Sequence, residues 1–157
     1  MNMQEELELW IEMATKYLRR RSEMNLLANR IITPDGTMLQ SFHQHDYVTY
    51  TDANGLEYMV DGGLAYQRVN VHKDAPPTDA SVYDTDPHDK IREAFCWGTY
   101  GKRGDQPCTW VKLKDMSDAH IEAIINTQTH IPPHIREAFE NELTYRELLN
   151  IHIEDTE

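Results

Sequence analysis

Two turn signals set between β-forming runs constrain this chain more than any other feature. Pro34-Asp35-Gly36 separates Arg30-Ile31-Ile32-Thr33 from the run Thr37 to Phe42. Asp52-Ala53-Asn54-Gly55 separates Tyr47-Val48-Thr49-Tyr50-Thr51 from Leu56 to Val60. Proline presets φ at the second turn position and glycine supplies a positive φ, so the first signal reads as a tight hairpin. Asn-Gly between β-formers is among the strongest short hairpin signals. From about Asn29 the apolar period is therefore two. Short turns between such strands mean antiparallel pairing, not βαβ units. Gly62-Gly63 must end or bulge the second return strand, and Leu64 to Val71 is read as a further strand.

Helical patterns flank this region. Leu7, Trp10, Ile11, Ala14, Tyr17 and Leu18 recur at the spacing of one helical face. Glu5, Glu6 and Glu8 near the start and Arg19, Arg20 and Arg21 at the end complement the helix dipole. The arginine run reads as a solvated helix end, with a phosphate-binding patch as its other reading. Residues 72–81 read as an exposed connection. Asp86 is then an N-cap with Pro87 at the first helical position, and Ile91, Ala94 and Phe95 form a stripe that Gly98 terminates. Trp97 to Pro107 reads as loop, and Thr109 to Leu113 as a strand with Val111 and Leu113 inward. Ser117 caps a helix to about Gln128, with Met116 and Ile121 as a hydrophobic staple. Pro132-Pro133 opens the last helix, Ile135 to about Leu149, whose stripe includes Phe139, Leu143 and Leu148.

The expectation is a single α+β domain, an antiparallel sheet of hairpins packed with an N-terminal helix and C-terminal helices. The N-terminal helix occupies 1–24, the hairpin sheet 29–71, and a mostly helical part with one strand 86–150. A length of 157 residues suits one core. Twenty-seven Asp+Glu against fifteen Lys+Arg give a net charge of −12, which argues against broad electrostatic binding to nucleic acid. No apolar run approaches the length of a membrane span, and the opening residues lack the pattern of a secretory signal. The two cysteines, Cys96 and Cys108, exclude a disulfide scaffold and a four-thiolate zinc site.

Two constellations invite chemistry. In His43-Gln44-His45-Asp46, residues two apart on a strand point the same way, so His43 and His45 would present two imidazoles to one divalent metal. If the second hairpin pairs Asp52 with Gly55, Asp46 falls opposite Asp61, where two carboxylates call for a cation, a proton or water. His43, His45, Asp46 and Asp61 thus sketch a hydrolase metal site for zinc or manganese; ordinary polar strand residues account for the same string. The segment Trp97-Gly98-Thr99-Tyr100-Gly101-Lys102-Arg103-Gly104 is the one locally basic, glycine-punctuated stretch. Its backbone N–H groups with Lys102 and Arg103 would hold an anion, and Trp97 and Tyr100 would stack a base. A helix C-cap followed by an exposed hairpin tip explains it too.

Two longer strings carry a resemblance. They run from Thr33-Pro34-Asp35-Gly36 through His43-Gln44-His45-Asp46-Tyr47 to Asp61-Gly62-Gly63, and from Ile91-Arg92-Glu93-Ala94-Phe95 through Trp97-Gly98-Thr99-Tyr100-Gly101-Lys102 to Leu113-Lys114-Asp115-Met116. Together they resemble small accessory proteins of tailed bacteriophages, over residues 25–145. The resemblance implies an accessory role in the host bacterial cytoplasm and brings no catalytic residues. The function expected is non-catalytic binding of a host or phage protein, or of a small anionic ligand, at Trp97, Tyr100, Lys102 and Arg103, with no cofactor. The alternative is a metal-dependent phosphoester hydrolase built on His43 and His45. Tyr47, Tyr50, Tyr58, Tyr66 and Tyr83 would cover a homo-oligomer interface, or pack as ordinary sheet residues.

Overall fold

Both hairpins form where the turn signals lie. The computed structural model describes residues 1–22 and 24–155 (backbone alone for 17–22). Strand β1 (Leu26–Ile32) returns antiparallel as β2 (Met38–Ser41), with Ile32 opposite Met38. The Thr33 N–H donates to the Thr37 carbonyl at 2.9 Å, leaving a three-residue loop, Pro34-Asp35-Gly36. The Asp35 carboxylate accepts from the Thr33 hydroxyl, the Tyr50 hydroxyl and the Thr37 N–H. Those donors hold it well below the usual carboxylate range. Strands β3 (Val48–Thr51) and β4 (Glu57–Asp61) repeat the device: the Asp52 N–H donates to the Leu56 carbonyl at 3.0 Å, and the Asp52 carboxylate accepts from the Asn54 and Leu56 N–H groups, both at 2.9 Å.

Strand β1 is central. It pairs with β2 along one edge and with β6 (Thr78–Asp79) and β7 (Val82–Tyr83) along the other. It begins before the alternating pattern does, because Leu26, Leu27, Ala28 and Asn29 are all buried. Leu27 and Ala28 join the main core, whereas Ile31 joins a second cluster with Leu39, Tyr58 and Val60. A strand serving two cores loses the period-two signature. The further strand expected over 64–71 shrinks to β5 (Arg68–Val69), because the Ala65 and Tyr66 N–H groups both turn back onto the Gly62 carbonyl. The connection expected over 72–81 also supplies β6.

Helix α2 (His88–Ala94) starts one residue later than expected, with Pro87 as its cap residue. The Asp86 carboxylate is spent on the preceding turn, accepting from the Tyr83 N–H at 2.8 Å. Ile91, Ala94 and Phe95 are buried as read. The helix ends at Ala94, not at Gly98. Residues expected as loop from Trp97 onward instead begin a third hairpin, β8 (Cys96–Thr99) with β9 (Thr109–Lys112). Helix α3 (Asp118–Thr127) is capped by Ser117, whose hydroxyl accepts from the His120 N–H at 3.1 Å, and Met116 and Ile121 are buried together.

Helix α4 (Pro133–Leu149) departs from its expected stripe. Phe139 is buried and Leu143 half-buried, but Leu148 is 80% exposed, and the inward positions continue through Glu142 and Arg146. Helix α1 (Met3–Ser22) is present, capped reciprocally by Asn2 and Glu5: the Asn2 carboxamide accepts from the Glu5 N–H at 2.9 Å, and the Glu5 carboxylate from the Asn2 N–H at 3.0 Å. Its described side chains are not buried, with Leu7 57%, Trp10 69% and Ile11 52% exposed. The Arg19–Arg21 side chains lie outside the described residues. Among the described residues, no helix is long and apolar enough to cross a membrane.

Candidate functional site

The third hairpin stands beside two backbone turns, and a groove opens between them. Its lining includes Phe42, His43, Leu64, Trp97, Tyr100, Cys108 and Trp110, and its volume is about 700 Å³. That is within the range of small-molecule sites, roughly 300–1,000 Å³.

One wall is the turn from Phe42 to Asp46. The Asp46 N–H donates to the His43 carbonyl at 2.9 Å, and the Asp46 carboxylate accepts from the Phe42 N–H at 2.8 Å. The Ser41 hydroxyl donates to the Asp46 carbonyl at 2.6 Å and accepts from the buried Gly63 N–H at 2.9 Å. Ser41 thereby ties this turn to the one after β4. The contact demands a glycine at position 63: a Cβ there would lie 2.3 Å from the His43 carbonyl carbon.

The other wall is the face of the β8–β9 hairpin that carries Cys96, Gly98 and Tyr100 on one side and Cys108, Trp110 and Lys112 on the other, with Gly98 opposite Trp110 and Cys96 opposite Lys112. The Trp110 indole lies over Gly98, where a Cβ would come within 3.0 Å of the ring. Its ring also stacks on Phe42 at 5.0 Å and 15°, and His43 lies 6.3 Å from it at 23°. Burial pushes the Cys96 thiol above its ordinary value, against the pull of nearby Lys112 and Arg30. That keeps it protonated and a poor nucleophile. Cys96 and Cys108 are both free.

The four ligand candidates separate into two pairs. Trp97 is half-buried and turns an edge to Phe139 at 5.3 Å, so it anchors the hairpin as well as lining the groove. Tyr100 is exposed at the rim. Lys102 and Arg103 lie on the tip, which is closed by the Gln106 N–H donating to the Tyr100 carbonyl at 2.8 Å. Lys102 reaches the Asp155 carboxylate at 3.9 Å.

The four metal candidates do not form the expected cluster. His43 and His45 sit in the Phe42–Asp46 turn, not on a strand. The second hairpin encloses one residue more than its expected turn, so the register runs Val48–Val60 and Thr51–Glu57, and pairing stops before Asp46. Asp46 and Asp61 therefore do not face each other. Asp46 closes its own turn, and Asp61 is held by the Arg68 guanidinium at 2.9 Å. Among the described residues, no group of three or more His, Cys, Asp or Glu side chains converges for a metal ion.

Sequence reasoning missed a buried ionic network behind the hairpin. The fully buried Glu142 carboxylate accepts from the Arg92 guanidinium at 2.8 and 3.0 Å and from Arg146 at 2.8 Å, and pairs with His88 at 2.9 Å. Arg146 also reaches Asp118 at 2.6 Å and the Leu113 carbonyl at 3.0 Å, and Arg92 lies over the Tyr145 ring at 4.4 Å. Burial alone would raise the Glu142 pKa, but donation from His88, Arg92 and Arg146 outweighs it and holds the carboxylate at about 2. These groups join α2, α4 and the start of α3 in a structural ion-pair network, in which, among the described residues, His88 Nδ1 is buried without a hydrogen-bond partner. No protein-family model, curated protein or solved structure matches the chain.

Proposed function

We propose that this is a binding protein that acts without catalysis, and that its groove takes a small anionic ligand with a flat apolar body, such as a nucleotide. The observation that carries the reading is the groove itself. Aromatic side chains and aliphatic Leu64 line it, and the hairpin that forms one wall carries Lys112 on β9 and Lys102 and Arg103 at its tip, in a chain of net charge −12. Apolar walls with cations on the same hairpin suit a ring that is buried and a phosphate that stays near water. The Cys96 thiol, pushed up by burial and so kept protonated, fits a role without a nucleophile. The resemblance to tailed-phage accessory proteins supports placing that role in an infected bacterial cytoplasm.

The test is titration of the intrinsic tryptophan fluorescence with nucleoside monophosphates and triphosphates. Quenching that saturates is expected from Trp97 and Trp110. The K102A/R103A double variant should bind at least about tenfold more weakly, the loss expected for charge-assisted hydrogen bonds, with a nearly unchanged melting temperature. Absence of saturable quenching, or a double variant that binds as well as the parent, would remove the proposal. Unfolding of the double variant would make the tip structural.

A further inference from the structure

Helix α1 leaves the large apolar side chains described on it, Met3 to Met13, exposed. Trp10 and Met13 are 69% and 62% exposed, yet the helix is well made locally, with its capping box, a Gln4–Glu8 hydrogen bond and a Glu12–Lys16 ion pair at 3.2 Å. Most helical stability in proteins comes from packing an amphipathic face, and a stripe of this kind is ordinarily covered. Two features of the stripe bear on what would cover it. Met3, Leu7, Trp10, Ala14, Tyr17 and Arg21 follow the alternating four-and-three spacing of a coiled-coil seam. The helix is also acidic at its start, through Glu5, Glu6 and Glu8, and basic at its end, through Arg19, Arg20 and Arg21.

We infer that α1 pairs antiparallel with α1 of a second copy of this chain, forming a two-fold dimer. Running the two copies in opposite directions sets Trp10 against the small Ala14 and Leu7 against Tyr17, each combination occurring twice by symmetry. The same alignment puts Glu6 of one copy and Arg20 of the other at flanking positions between the same two seam layers, where charge pairs choose partner and orientation. A parallel pair would bring the acidic starts together and the basic ends together, so charge selects the antiparallel form. This inference is independent of what the groove binds.

The experiment is sedimentation velocity on the full chain over a range of concentrations at low salt. A monomer–dimer equilibrium is expected. Trp10→Asp should shift it to monomer without changing the melting temperature of the body. Glu6→Arg and Arg20→Glu should each weaken the dimer about tenfold, as a charge pair turned repulsive, and the two changes in one chain should restore it. This reciprocal rescue is specific to the antiparallel seam and survives any local unfolding caused by Trp10→Asp. A chain that stays monomeric at the highest concentration reached overturns the inference, as does a dimer indifferent to Trp10→Asp, a charge swap without rescue, or a monomer whose helix cosediments with phosphatidylglycerol vesicles.

Discussion

Glu142 shows how much one buried carboxylate holds in place. Its four short contacts draw on His88 and Arg92 from α2 and Arg146 from its own helix. Glu142→Gln keeps the shape but leaves two guanidinium groups facing a neutral amide. Because Arg146 retains Asp118, the expected loss is near the lower end of a broken buried pair, about 3 kcal/mol, read from urea unfolding at pH 7. This network was not legible in the sequence. Glu142 and Arg146 are four apart on a helix, a spacing that ordinarily marks a solvated surface pair. Their other partners lie far away in the chain: Arg92 for Glu142, fifty residues off, and Asp118 and the Leu113 carbonyl for Arg146. Long-range partners carry no local signature, so the inward positions after Phe139 were assigned to leucines that the structure leaves partly or largely exposed.

At the scale of elements, the first two hairpins were legible, and of the third only its return strand β9 and its tip. Pro34-Asp35-Gly36 and Asp52-Ala53-Asn54-Gly55 carry their turn geometry in adjacent residues, so reading them needs no tertiary information. The register of the second still slipped by one residue, because the loop closes on Leu56 and not on Gly55. That single residue removes the expected Asp46–Asp61 pairing and with it the metal cluster. In the third hairpin Gly98 reads as a helix stop, but its actual role is to make room for an indole. Gly98→Val should push Trp110 off Phe42, since even a Cβ approaches the ring to 3.0 Å. The expected cost is about 1–3 kcal/mol, as for overpacking, with a changed tryptophan emission spectrum and loss of ligand quenching. Thermal denaturation and fluorescence on the same sample check all three. A variant that kept its quenching would show that the groove does not depend on this stack.

For the molecule as a whole, acid should act through the carboxylates that the fold holds ionised. Glu142 is held at about 2 against an ordinary 4.5, and Asp118 and Asp35 are also lowered. For Asp118, burial opposes ionisation and the Arg146 hydrogen bond outweighs it, whereas Asp35 is held by the hydroxyls of Thr33 and Tyr50 and by Thr37. A carboxyl whose pKa is lower folded than unfolded binds protons more readily in the unfolded chain, so stability rises with pH through that interval. The contribution from Glu142 is therefore complete above about 4.5 and disappears as the pH falls toward about 2. A net charge of −12 works the other way at neutral pH, since protonating exposed carboxylates relieves repulsion. That repulsion acts between solvated groups and is screened within about 8 Å at physiological salt, whereas the buried pairs are screened far less. Unfolding experiments from pH 7 down to pH 2 in physiological salt should thus show stability falling below about pH 4.5, and Glu142→Gln should flatten that fall while lowering the neutral plateau. If the variant kept the parent's acid slope, the lowered Glu142 pKa would not be what couples this fold to protons, and the weight would pass to Asp118 and Asp35.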